Sequence, residues 1–264
     1  QLRAHSGSRT ILRLNVLTVE EEALAVGLRI SCDKTKYVAI PATLTHNCPP
    51  IHTRDGSVIE MQEDFKYLGS YMDTTTDVKH RVASAWTTTK KLFRIWKSQI
   101  SQALKRKFFM CMIMPILLYG CESWALDSTL TQKLHANLTR LLRFSLNVHW
   151  STHTRNADLY DYIPRIADTL LYRRVKFAGH ALRADQPVAS LLSQPDPSRN
   201  PTPLTIQSVL IDDLASPNLL QFLYHFKHRK HCMQKIQQEA EDRDKWRTLV
   251  DKLPLRPPSV PSNG

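Results

Sequence analysis

Glycine is scarce in this chain, with only 7 among 264 residues, and the 15 prolines gather in a few places. Both residues interrupt helices, so this composition favours long helices separated by sharp breaks. No segment repeats along the sequence, which excludes a repeat solenoid. We therefore expect a mainly α protein.

Cysteine usage excludes two further classes of protein. The cysteines are odd in number, scattered and without a CxxC pair: Cys32, Cys48, Cys111, Cys121 and Cys232. This pattern fits neither a disulfide framework nor a zinc ribbon. A reducing, intracellular location, nuclear or cytoplasmic, is the prediction.

The chain also lacks a long apolar run. Its most apolar stretch, 108–119, contains Pro115 and is well short of the roughly 20 residues that cross a bilayer. We expect a buried core helix there and no membrane partner. Residues 1–13 do not have the order of a signal peptide and there is no initiating Met, so we expect the natural start to lie upstream.

Positive charge is what the sequence has in excess. Lysine and arginine number 36 against 24 acidic residues, which gives a net charge of +12 and a pI near 9.6. Such an excess attracts polyanions and is ordinary for proteins that follow a phosphate backbone. On charge alone, a merely solvated basic surface stays an equally good explanation.

Hydrophobic patterning divides the chain into three regions. Over 1–75 the pattern predicts a small α+β region. It has a helix at 19–28, ended by Gly27, and short strands at 29–31, 37–40, 57–59 and 66–72. Over 76–150 it predicts a bundle of three helices, at 78–97 with a cap at 74–77, 102–124 with a bend at Pro115, and 129–146. The apolar positions of the first helix include Trp86, Phe93 and Trp96, with cations on its other side, and those of the third form a leucine stripe: Leu134, Leu138, Leu141 and Leu142. The regions differ in class, so separate structural units are expected.

The third region, 151–253, is predicted to be helical as well. Its helices fall at 168–183, 219–232 and 233–253, around a Pro-rich loop at 186–203. The apolar spacing of the first of these helices places its basic residues on the outside: Arg173, Arg174, Lys176 and Arg183. A Pro-rich tail at 254–264 is predicted to be disordered.

Two short motifs carry a resemblance to a known family. GLRISCDKTK at 27–36 and FKYLG at 65–69 resemble the helix-loop-strand motif and the primer-grip turn that end the palm of reverse transcriptases from non-LTR (LINE-type) retrotransposons. Segments at 81–92, 116–124, 179–183 and 242–247 resemble the thumb and downstream parts of the same transposable-element proteins. The chain looks like the C-terminal part of such an enzyme.

The resemblance implies a palm remnant over 1–75, a helical thumb over 76–150 and a helical C-terminal region over 151–253. It implies template-primer RNA and DNA as partners, together with an upstream fingers-and-palm portion of the same polymerase. The resemblance does not define the oligomeric state of this chain. In the family, palm aspartates hold two Mg²⁺, one pair of them in a Tyr-x-Asp-Asp turn. This sequence has no such turn. We therefore expect a relative of RNA-directed DNA polymerases that has no catalytic residue and no cofactor in this chain. The resemblance implies Mg²⁺ only for an intact member of the family.

Aromatic and basic residues in the resembling segments are the candidate nucleic-acid contacts. A primer grip must fix a strand end, because misplacing a nucleophile by about 1 Å costs roughly a hundredfold in rate. Basic residues elsewhere would hold phosphates without reading sequence. The candidates are Lys34, Lys36, Phe65, Tyr67, Leu68, Gly69, Lys90, Arg94, Lys97, Arg173, Arg174, Lys176 and Arg183.

Two clusters have metal-ligand chemistry, but we predict no metal site. Asp212 and Asp213 form the one adjacent aspartate pair, far downstream of the thumb-like region, and are expected to cap or flank a helix. His225, His228 and Cys232 share a helical face, yet only three ligands converge and neighbouring cations oppose a metal ion.

Two other functions fit the same residues. The first is a basic helical interaction module, derived from such an element, that binds an acidic protein partner. The second is a full reverse transcriptase, if the gene continues upstream into the aspartate-bearing palm.

Overall fold

The computed structural model describes residues 9–37, 50–62, 66–71, 73–161, 163–183, 206–215, 220 and 229–253. The chain divides into two compact units, Gln1–Asp73 and Thr74–Gly264. It is mostly helical with few strands, which confirms the mainly α prediction. No helix in the described residues is long and apolar enough to cross a membrane.

The described part of the first unit contains one helix and two small antiparallel hairpins. Helix α1 spans Arg9–Ala25, strand β1 (Ile51–His52) pairs with β2 (Val58–Ile59), and β3 (Lys66–Tyr67) pairs with β4 (Ser70–Tyr71). The predicted strand at 29–31 is wrong, because these residues form no ladder. The predicted strand at 37–40 is reduced in the described chain to one parallel bridge between Tyr37 and Met61.

The end of α1 follows the predicted glycine signal. Gly27 has a φ of 77°, and the Leu28 amide donates to the Ala23 carbonyl at 2.8 Å. A left-handed residue with this hydrogen bond closes the last helical turn, and only glycine adopts that conformation without steric cost. The start of α1 lies ten residues before the prediction, at Arg9.

Acidic residues of α1 hold the loop between β1 and β2. The buried Glu20 carboxylate accepts a hydrogen bond from the Arg54 amide at 2.8 Å, and Glu21 pairs with the Arg54 guanidinium at 2.6 Å. A charge-assisted bond to a buried carboxylate is among the stronger kinds, so this contact ties the helix to the hairpin.

The second unit begins with helices that enclose an apolar core. They are α2 (Thr74–Lys91), α3 (Phe93–Lys97), α4 (Gln102–Phe108), α5 (Met114–Leu117), α6 (Ser128–Ser145) and α7 (Asn156–Tyr160). The leucines predicted to form the apolar stripe of α6 are all fully buried: Leu134, Leu138, Leu141 and Leu142. The sequence therefore predicted the packing face of α6 correctly.

Pro115 explains why the helix predicted over 102–124 is divided. Residues Phe109–Ile113 form a π-helical turn between α4 and α5, and the Met114 amide donates to the Phe109 carbonyl. A proline lacks the amide that would continue the ladder, and the wider turn accommodates that loss. The helical run ends at Leu117, and Gly120 is left-handed with a φ of 71°.

Helix α8 (Ile166–Arg183) joins this core to a second one. Its early residue Leu170 belongs to the first core, whereas its later residues pack with α9 (Ile206–Leu214), α10 (Arg229–Glu241) and α11 (Arg243–Asp251). Helix α9 was not predicted, and the single helix predicted over 233–253 is divided at Asp242, the N-cap of α11. Most of the helix predicted over 219–232 lies outside the described residues. The Pro-rich loop at 186–203 and the tail at 254–264 lie outside the described residues.

Two of the family-like segments meet in the second core. The indole of Trp246 is 3 % exposed and lies directly on Gly179, and its Nε1 donates to the Val175 carbonyl at 3.0 Å. A side chain at Gly179 would overlap that ring. The glycine is therefore needed for the close approach of α11 to α8.

Candidate nucleic-acid interface

The motif FKYLG contributes the tight turn between β3 and β4. Tyr67 pairs with Ser70, so Leu68 and Gly69 form a two-residue loop with φ values of 48° and 89°. Two positive φ values are the signature of a type I′ hairpin turn, which glycine adopts without steric cost and leucine adopts only with strain. Leu68 is also 74 % exposed, so an apolar side chain is held outward on a strained backbone. Phe65 lies outside the described residues.

The two lysines of the first motif have different surroundings. Lys34 is exposed in the turn that follows Ser31. Lys36 is mostly covered and its Nζ lies 2.8 Å from the Glu60 carboxylate. The Lys36 ammonium lowers the pKa of Glu60, mainly through the hydrogen bond and secondly through its positive charge. Lys36 therefore has an anionic partner within the protein.

Helices α2, α3 and α6 bring aromatic rings and cations together on one face. The Phe144 ring centroid lies 6.0 Å from that of Trp86, edge to face, and 6.2 Å from that of Phe93. Lys97 Nζ lies 5.7 Å from the Phe93 ring and hydrogen-bonds the Asn147 side chain. Phe93 is 46 % exposed and Phe144 36 %. Two of the three rings in this aromatic cluster are therefore partly open to solvent.

Exposed cations occupy the adjacent turns. Lys90 follows Trp86 by four residues on α2, and Arg140 precedes Phe144 by four on α6, spacings that place side chains on the same helical face. We call this set the aromatic–cationic surface: Trp86, Lys90, Phe93, Lys97, Arg140 and Phe144. Arg94, the remaining candidate of this segment, is exposed next to Phe93.

The charge balance of this part of the chain is one-sided. Between residues 78 and 157 there are thirteen lysines and arginines but only two acidic residues, Glu122 and Asp127. Asp127 is used as the N-cap of α6, where its side chain accepts the Leu130 amide. Most of the chain's net positive charge therefore lies in the helices that carry the aromatic–cationic surface.

A buried polar cluster anchors the start of α2. Asp77 is 1 % exposed and accepts a hydrogen bond from the Trp124 indole at 2.8 Å, while the Arg81 guanidinium lies 3.4 Å away. Arg81 also stacks on the Tyr119 ring at 4.4 Å. We predicted 74–77 as a helix cap, but α2 already begins at Thr74 and Asp77 is part of its first turn.

The basic residues of α8 are mostly engaged within the protein. Arg174 is 5 % exposed and pairs with Asp213. Arg173 donates to the Leu118 carbonyl at 2.9 Å, and Arg183 donates to the Ala240 carbonyl at 2.7 Å. Lys176 is exposed, with Nζ 5.6 Å from the Tyr172 ring. The periodicity placed Arg174 on the outside, which is wrong because α9 packs on that side of α8.

The residues considered for metal binding do not converge in the described chain. Within the described ranges, no group of three or more His, Cys, Asp or Glu side chains is arranged to hold a metal ion. Asp212 and Asp213 lie within α9, where burial raises the pKa of Asp213 and Arg174 opposes that change. His225 and His228 lie outside the described residues, and Cys232 is buried.

Comparison with known proteins gives one match. Over 173 residues the chain is 24% identical to an uncharacterized transposon-derived protein of Caenorhabditis elegans, and the alignment covers 60% of this chain and 60% of that protein. The chain thus spans about 60% of the length of the curated relative it matches. No protein-family profile and no solved structure matches the chain. The match supports a transposon-related origin.

The sequence predicted only part of this surface. The alternation of cations and aromatics along α2 and α3 was recognised, but Arg140 and Phe144 of α6 were not candidates. The available signal was the face shared by Asn137, Arg140 and Phe144, which flanks the leucine stripe of α6. Its contact with Trp86, whose Nε1 donates to Asn137 at 3.4 Å, joins positions 51 residues apart and was not apparent from the local pattern.

Proposed function

We propose that this chain is the C-terminal part of a retrotransposon reverse transcriptase, with a palm remnant followed by a thumb, and that it binds template-primer RNA and DNA. The aromatic–cationic surface is the observation that carries the binding proposal. Cations beside exposed rings fit a nucleic-acid backbone and its bases, and few acidic groups lie nearby in sequence to repel phosphate. The transposon-derived relative supports the origin.

Polymerisation is not part of the proposal for this chain. The sequence has no Tyr-x-Asp-Asp turn, and its one adjacent aspartate pair lies in α9 with Asp213 paired to Arg174. Binding would therefore position a strand for chemistry performed by an upstream palm.

The backbone contacts can be tested by titrating an end-labelled RNA–DNA duplex at several salt concentrations, with anisotropy as the readout. The variant is Lys90→Ala/Arg94→Ala/Lys97→Ala. Each lost phosphate contact should flatten the slope of log affinity against log salt by about 1, so a change of about 3 is expected. Far-UV circular dichroism checks that the variant is folded.

A matched control removes the same charge from elsewhere in the second unit. Lys235, Lys245 and Lys252 are exposed on or beside α10 and α11, and their triple alanine variant should keep the slope of the parent protein. Equal slopes for the two triple variants would refute the interface. Failure of the parent protein to bind any duplex would refute nucleic-acid binding itself.

A further inference from the structure

Trp150 is the most exposed of the large apolar side chains in the described residues, at 75 %. It lies in the short 3₁₀ turn Trp150–Thr152 after α6, with its ring centroid 5.3 Å from that of His149. A tryptophan is large and usually well buried, so its exposure needs an explanation.

The loop around Trp150 is held by side-chain hydrogen bonds. His149 Nδ1 lies 2.7 Å from the Ser151 hydroxyl, Thr152 donates to the His149 carbonyl at 2.7 Å, and Arg143 donates to the Thr154 carbonyl at 2.8 Å. These bonds fix the backbone on both sides of the tryptophan. The exposed indole is therefore presented by an ordered loop, which lowers the entropy lost when a ligand binds.

This loop adjoins the aromatic–cationic surface. Lys97 of that surface hydrogen-bonds Asn147, three residues before Trp150, and the Gln102 side chain donates to the Leu146 carbonyl at 3.2 Å. Three residues span at most about 11 Å, so the indole lies within a few nucleotides of the cations. No acidic residue occurs between 128 and 157, so phosphate is not repelled along this path by neighbours in sequence.

We propose that Trp150 is a stacking platform for an unpaired base, at the end of the aromatic–cationic surface, so that the site prefers a duplex with a single-stranded extension over a blunt duplex. This rests on the proposed function. Bases inside a duplex are already stacked on each other, whereas an unpaired base offers a free face to an aromatic ring. Cations along α2 and α3 would hold the paired part by its phosphates, and Trp150 would hold the first unpaired base.

The test compares a blunt RNA–DNA duplex with the same duplex carrying a short single-stranded extension, by anisotropy against the full chain. Base–aromatic stacking is worth about 1–3 kcal/mol, so Trp150→Ala should weaken binding of the extended probe by about 5- to 150-fold. Binding of the blunt probe should be unchanged. Trp150→Phe keeps an aromatic face and should retain most of the preference.

Two controls separate stacking from general damage. Phe177 is an aromatic residue of α8 that is 43 % exposed and outside the surface, so Phe177→Ala should leave both affinities unchanged. A 2-aminopurine in the extension should lose fluorescence when it binds the parent protein, and Trp150→Ala should abolish that quenching.

Each result has a definite meaning. If Trp150→Ala weakens binding of both probes equally, or weakens neither, the stacking role is overturned while duplex binding stands. If neither probe is affected, a protein partner would be the better explanation for the exposed indole. If the parent protein binds neither probe, the proposed function fails and the stacking role fails with it.

Discussion

The contact between Gly179 and Trp246 predicts a substitution whose effect is opposite in sign to helix propensity. In an open helix, Gly→Ala stabilises by about 1 kcal/mol, because alanine restricts the unfolded chain and favours the helix. In α8 the new methyl group would lie 2.6 Å from Cε2 of the Trp246 indole and closer still to other ring atoms. The indole cannot move away freely, since it is buried and its Nε1 donates to Val175.

The expected magnitude follows from these contacts. Overpacking a filled core costs about 1–3 kcal/mol, and the strained indole–carbonyl hydrogen bond contributes about 1 kcal/mol more. After the propensity gain is subtracted, Gly179→Ala should destabilise the second unit by about 1–3 kcal/mol. All five tryptophans lie in that unit, so urea unfolding followed by tryptophan fluorescence reports on it selectively.

A second substitution isolates the overlap as the cause. Trp246→Phe shortens the ring and removes Nε1, so adding Gly179→Ala in that background should cost much less than it does alone. The reasoning would be refuted if Gly179→Ala left the parent protein equally stable or made it more stable. It would also be refuted if the two substitutions were additive.

Three further predictions concern other contacts. Asp77→Ala removes a buried carboxylate that the Arg81 guanidinium and the Trp124 indole both contact. It should lower the free energy of unfolding in urea, followed by tryptophan fluorescence, by about 3–5 kcal/mol, and a loss below about 1 kcal/mol would contradict the role of this cluster. Burial raises the pKa of Asp213 above its unfolded-state value, although Arg174 opposes that change. The protonated Asp213 therefore favours the folded state at acid pH, and this contribution to the free energy of unfolding is lost as the pH rises through the folded-state pKa. Arg174→Met removes the opposing charge, so its destabilisation should grow between pH 4 and pH 7, and adding Asp213→Asn should abolish that growth. In the β3–β4 turn, Gly69→Ala should lower the local stability of the hairpin by about 1–2 kcal/mol because residue 69 has a positive φ, whereas Leu68→Gly should lower it by nothing. Amide hydrogen exchange at Lys66–Tyr71 measures this stability, and equal losses of protection in the two variants would disprove the strained turn.

Local patterns predicted the elements whose structure depends on near neighbours. The leucine stripe of α6, the glycine end of α1 and the break at Pro115 each follow from residues within a few positions of one another. Phe93 shows the limit of that reasoning. Its spacing from Trp86 and Trp96 predicted a buried position on one long helix, but the helix is interrupted at Leu92 and Phe93 is half exposed.

The remaining errors involve partners far away in sequence. Arg174 was assigned to the outside of α8 because its partner, Asp213, comes 39 residues later on a helix that was not predicted. Gly179 and Trp246 were recognised as parts of two separate segments, yet their contact spans 67 positions and appears only when α11 packs on α8. Long-range packing decides which basic residues are free to meet a ligand, so this part of the candidate site required the structure.

The cations of α2, α3 and α6 carry a thermodynamic argument for a polyanionic ligand. Eighty positions, 78–157, contain thirteen basic residues and only two acidic ones. Cations that lie within the screening length of about 8–10 Å at physiological salt repel one another, which costs the folded state stability. The basic residues of α8 show how the same chain binds such groups when they serve packing. Arg174 is paired to Asp213, Arg173 lies 3.7 Å from the Glu122 carboxylate, and Arg183 donates to a carbonyl oxygen. Lys90, Arg94 and Arg140 are instead exposed on α2, α3 and α6, of which α3 and α6 also carry the partly exposed rings of Phe93 and Phe144. A phosphate backbone would relieve that repulsion and cover the rings at once, whereas a purely solvated surface would have no need of the rings.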